Sequence, residues 1–96
     1  MPTLRIEHAI SDYDTWKAAF DRDPAGREAS GVRRHAIHRP VDDAKYVLID
    51  LDFDSVADAE ALLARLQGVW QSTVAAPALA GRPRTRIIDT VETTDG

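Results

Sequence analysis

Leu4, Ile6, His8 and Ile10 alternate with Arg5 and Glu7, so the run Thr3 to Ile10 reads as a strand with one apolar and one polar face. The spacing then changes to a helical one, with Tyr13, Trp16 and Phe20 turned to one side. Ser11 and Asp14, three residues apart, read as the capping box that opens this helix, and Asp14 adds negative charge to its positive end. The pattern lapses at Pro24 and Gly26, "REASG" supplies one more turn, and Gly31 stops it. "VRRHAIHR" is a second strand ended by Pro40, and "KYVLIDLDF", after the turn "PVDDA", is a third. Ser55 and Asp58 then repeat the Ser11–Asp14 arrangement. They open a helix whose stripe is Val56, Ala59, Leu63, Leu66 and Trp70, with Gly68 as a bend inside it. "STVAAPALAG" reads as a short extra helix, "RTRIIDTVE" as the last strand, and residues 92–96 as a frayed tail.

The order strand, helix, strand, strand, helix, strand predicts an α+β, ferredoxin-like domain spanning 1–96, with a four-stranded antiparallel sheet and helices on one face. A chain of 96 residues buries only roughly 60 to 65% of its unfolded surface, so its core is thin. The uncovered sheet face is expected to expose Tyr46, Leu48 or Ile88. A second copy packed sheet to sheet would cover it and close a barrel around a cavity, so a homodimer is expected.

Composition narrows the partners. With 44% hydrophobic and 29% charged residues, the chain has no segment suited to a membrane. "MPTLRIEHAI" lacks the features of a signal peptide, which makes a cytoplasmic protein the expectation. Without cysteine there is no disulfide or thiolate chemistry, and the net charge of −4 argues against a nucleic-acid partner. His35 and His38 have odd spacing and fall on opposite strand faces, so they are no metal pair, and neither a metal site nor a cofactor is expected. There is no phosphate loop and no nucleophile elbow. "RRHAIHR" reads as an edge strand whose charges discourage aggregation. An anion site is the sharper alternative, and Arg82, Arg84 and Arg86 form a second such patch.

The run His8-x-x-x-Asp12-Tyr13-Asp14-x-Trp16-Lys17-x-x-Phe20-Asp21 resembles a signature of small bacterial proteins in the dimeric α/β-barrel superfamily. The chain is similar to the antibiotic-biosynthesis monooxygenase-like proteins of that group, and departs from them at "RDPAG", where a continuous helix is expected. The resemblance implies a homodimer with its pocket between sheet and helices or inside the barrel. In some relatives it implies cofactor-free oxidation, isomerisation or haem breakdown, although no haem motif accompanies His8, His35 and His38.

The candidate catalytic residues are His8 and Asp12. His8 is either a neutral imidazole paired with Asp12, Asp14 or backbone, or a general base whose pKa an aspartate raises. Asp12 and Asp14 equally suit a helix start. Trp16 and Trp70 suit the core or the apolar wall of a ligand pocket. Tyr46 and Asp50 share the face turned to the second copy, where Asp50 either pairs with Arg5 or binds a ligand. Two functions stand open: a cofactor-free monooxygenase or isomerase acting on an aromatic or polycyclic compound, and a non-catalytic ligand-binding or assembly module. The residues do not decide whether the chain is an enzyme.

Overall fold

The computed structural model describes residues 1–22, 26–70 and 83–94. Its elements are β1 (Pro2–Ala9), α1 (Tyr13–Arg22), β2 (Val32–His38), β3 (Tyr46–Phe53), α2 (Val56–Trp70) and β4 (Arg84–Asp89). The strands form one antiparallel sheet in the order β2-β3-β1-β4, which is the ferredoxin-like arrangement. β2 lies at an edge, as its charges foretell. The segment "STVAAPALAG", Pro24 and Arg82 lie outside the described residues.

Pairing continues past β1, where the Ile10 N–H donates to the Lys45 carbonyl at 2.9 Å, so α1 starts later than Ser11 would set it. The cap is Asp12. Its Oδ2 accepts the Thr15 N–H at 2.9 Å and its carbonyl accepts the Trp16 N–H at 3.0 Å, the bonds an N-cap makes. Ser55 does cap α2, accepting the Asp58 N–H at 3.2 Å. α2 runs unbroken through Gly68, and its buried stripe is shifted from the expected one: Leu62 is fully buried, whereas Val56, in the first turn, is 47% exposed. Gly31 ends the turn before β2 with φ 97°, a region that favours glycine, and a Cβ there would lie 3.1 Å from Asp58 Oδ2. β4 stops at Asp89, short of the expected Glu92.

Leu4, Ile6, Val47, Ile49, Leu51 and Phe53 fill the inner face of the sheet and meet Trp16, Ala59 and Leu62 from the helices. β2 carries a bulge: Val32 faces Phe53 and Arg34 faces Asp52, so Arg33 is the extra residue and does not share the face of His35.

The outer face differs from the apolar surface expected. Tyr46, Leu48 and Ile88 are half-buried, and the large exposed hydrophobics among the described residues are Met1, Val41, Val56 and Val91, none of them on a strand. Polar side chains cover this face instead. Arg5 grips Asp50 with two bonds of 2.8 and 3.0 Å, Arg34 donates to Asp52 at 2.9 Å, and Thr3 donates to Asp52 at 2.6 Å. Among the described residues no helix is long and apolar enough to cross a membrane.

Candidate functional site

His8 belongs to the central strand β1 and to its apolar face, so alternation carries the imidazole into the core beneath the helices, where it is 4% exposed. Its Nδ1 lies 2.9 Å from the carbonyl oxygen of Ala9. A carbonyl only accepts, so Nδ1 carries the proton and Nε2 keeps the lone pair. Burial pushes the imidazole pKa below its ordinary value, and the bond to Ala9 offsets this in part. The ring is therefore neutral at physiological pH with its tautomer held by backbone.

One aromatic ring packs against it and leads into a row of others. The α1 stripe brings Trp16 edge-on to His8, with centroids 6.2 Å apart. Trp16 in turn packs against Tyr13 at 5.8 Å and Phe20 at 5.1 Å. Phe20 meets His35 of β2 at 5.4 Å, extending the row to the edge of the sheet. Guanidiniums lie over two of these rings, Arg39 on Tyr13 at 4.6 Å and Arg27 on Phe20 at 3.7 Å. Arg27 also donates to the Phe20 carbonyl at 2.8 Å, which ties the end of α1 to the following turn.

The sequence-predicted residues separate into three places. His8 and Trp16 come together, and Trp70, half-buried near the end of α2, packs against the same core. Asp12 is apart from them. Its carboxylate takes the N–H and, at 3.0 Å, the hydroxyl of Thr15, and those bonds lower its pKa. Of the partners the sequence left open for His8, namely Asp12, Asp14 and backbone, the structure shows the backbone one, the Ala9 carbonyl, while the helix start claims Asp12. Tyr46 and Asp50 lie across the sheet on the outer face. Tyr46 donates to Glu7 Oε1 at 2.8 Å, a bond that raises the phenol pKa. Asp50 pairs with Arg5 as the strand faces suggest, with His38 Nε2 3.7 Å from Oδ2.

Two shallow depressions of the outer face have room for small molecules. One, of about 460 Å³, touches Thr3, Arg5, Arg34, Asp50 and Asp52. The other, of about 390 Å³, touches Arg5, Glu7, Arg84, Arg86 and Ile88. Sequence reasoning missed Arg27 and the contact of His35 with Phe20. Strand parity does place His35 inward, but nothing local to Arg27 announces a partner seven residues back. Among the described residues no group of His, Asp and Glu side chains is arranged to hold a metal ion.

Solved structures of antibiotic biosynthesis monooxygenase-like proteins superpose on nearly the whole chain. The chain has their fold. A cofactor-independent oxygenase from Streptomyces nogalater matches with a TM-score of 0.69 at 13% identity, over 96% of this chain and 94% of that one. A monooxygenase of Streptomyces coelicolor, solved in complex with nanaomycin D, gives 0.69 at 13% identity over 99% of this chain and 91% of that one. A dimeric ferredoxin-like protein from an uncultured marine organism gives 0.67 at 9% identity over all of both chains. No protein-family model matches the sequence, and no curated protein matches it. At such identities the ferredoxin-like fold is what the chains have in common.

Proposed function

We propose that the chain is a cytoplasmic, homodimeric, cofactor-free monooxygenase acting on a small aromatic or polycyclic compound, with His8 as its base. The observation that carries this reading is a buried imidazole of fixed tautomer beside the Trp16 ring. Nε2 would take a proton from a methylene activated by flanking aromatic rings. The resulting carbanion gives its electrons to molecular oxygen and forms a C–O bond, the imidazolium returns its proton to the peroxide anion, and loss of water from the hydroperoxide leaves a ketone. The balance is one CH2 and one O2 converted to one C=O and one H2O. No other reductant is needed, because the substrate supplies the electrons. Burial assists by keeping the imidazole unprotonated at neutral pH. The dimer is supported by the fold shared with a dimeric protein and by the single helical layer, which leaves the outer sheet face to a second copy.

A second reading, ligand binding without catalysis, is favoured by the backbone bond of His8, since Asp12 is engaged elsewhere and gives the imidazole no carboxylate partner. Oxygen consumption with anthrone-type and hydroquinone substrates, compared between wild type and His8→Gln, separates the two. Turnover in the wild type and its loss in the variant is the expected result. Equal rates would remove His8 from the mechanism, and tryptophan quenching by these compounds without turnover would leave the binding module.

A further inference from the structure

The register of β1 with β4 sets Arg5 directly opposite Arg86 and Glu7 directly opposite Arg84. Like charges facing each other across antiparallel strands destabilise a sheet, so an Arg–Arg pair calls for a compensating group. The neighbouring carboxylates provide it for Arg5 but bond neither Arg84 nor Arg86. Asp50 is held by both bonds from Arg5, on the side away from β4, and Glu7 accepts the Tyr46 hydroxyl from β3. The side chains of Arg84 and Arg86 are exposed and make no hydrogen bond or ion pair with the described residues. The depression of about 390 Å³ beside them is bordered by three guanidiniums, one carboxylate and the apolar side chain of Ile88. This concentration of positive charge stands on a chain whose net charge is −4, so it is a local feature and not a general basic character.

We propose that Arg84 and Arg86 form an anion site on the outer face of the sheet that takes the oxyanion of a small organic acid, its apolar part against Ile88. Two planar guanidiniums two residues apart on one strand face present forked donors that match a carboxylate or a phosphate monoester. The space exceeds what an inorganic ion fills and is of the size that holds a small organic molecule. The site lies across the sheet from His8 and does not rest on the catalytic reading. Packing of a second copy on this face would enclose it.

Benzoate and phenyl phosphate, which share a ring and differ in the oxyanion, are the probes, titrated calorimetrically at low and at raised salt. Saturable, salt-sensitive binding of one of them by the wild type is expected, and the preferred probe identifies the acid. Arg84→Gln and Arg86→Gln should each weaken it about tenfold or more, the loss of one charge-assisted contact. Arg86→Lys should keep the charge without restoring full affinity, because the fork is lost. Arg84 and Arg86 are exposed in the single chain, and circular dichroism checks that each variant is folded. Sedimentation is measured in parallel. Failure of both probes to bind the wild type would overturn the proposal, as would affinity unchanged in Arg84→Gln/Arg86→Gln. If the probes fail and the double variant loses its partner copy, the arginines pair with carboxylates of that copy; if they fail and sedimentation is unaltered, they guard the sheet edge.

Discussion

A neutral imidazole buried in the fold makes stability depend on pH in a defined direction. The unfolded chain exposes His8 with an ordinary pKa of about 6.5, whereas burial lowers it in the fold. Below about pH 6.5 the unfolded state therefore binds more protons than the native state, and stability falls as pH falls until the folded pKa is reached. The stabilisation is complete above the unfolded value and drains away beneath it. One such proton is worth about 1.4 kcal/mol per pH unit at most, so acidification from neutral pH to 5.5 should remove up to about 1.4 kcal/mol through His8. That is a measurable part of the 5–15 kcal/mol typical of a domain. His8→Gln is the reference: its amide can still donate to the Ala9 carbonyl but does not titrate. Urea unfolding of both proteins at one fixed concentration, at intervals from pH 7.5 to 5.5, gives the difference. His35 and His38 are common to both and cancel. The carboxylates of Asp12 and Asp52, whose pKa values are lowered, lose their contributions only at more acidic pH. A wild-type-minus-variant difference that stays flat over this range would refute the buried, neutral assignment of His8.

Two further outcomes test the local structure. Asp12→Ala should lower the thermal midpoint, whereas Asp12→Asn and Ser11→Ala should leave it closer to wild type, because the bond to the Thr15 N–H comes from residue 12; thermal melts by circular dichroism at neutral pH decide it. Leu62→Ala should cost about 2–5 kcal/mol in urea unfolding. Val56→Ala should stay within about 0.5 kcal/mol, since its side chain already stands in solvent.

Alternation and helical spacing made the strands and both helices legible, because each hydrophobic position in Leu4–Ile6 or Val47–Phe53 reports a face that the sheet must bury. The errors lie where side-chain chemistry competes over one or two positions. Ser11 and Asp12 are both good caps, and the choice rests on the Ile10–Lys45 bridge, a contact distant in sequence. Leu62 and Leu63 are adjacent, and a stripe drawn from Val56 selects only the second. The outer face is the larger discrepancy. Its apolar residues are partly covered by long Arg side chains held across to aspartates on the next strand, and such lateral coverage follows from register, which no single strand discloses. For the candidate site, inward parity reveals His8 and Trp16, but the hydrogen bond that fixes the imidazole comes from the next residue's own carbonyl and leaves no side-chain trace.

β1 occupies the middle of the sheet, yet neither of its partners is its neighbour along the chain: Thr3 faces Asp52 on one side and Ile88 on the other. Of the four strands, this interior one is thus the first to be made and the last to be completed. Until β4 emerges, one edge of β1 has open N–H and C=O groups beside the side chains of the core, the kind of edge that recruits another nascent copy. Closing so wide a loop also slows the search for the native pairing. Substitutions that delay β4 docking should accordingly appear first as lost soluble yield, before any change in the finished fold.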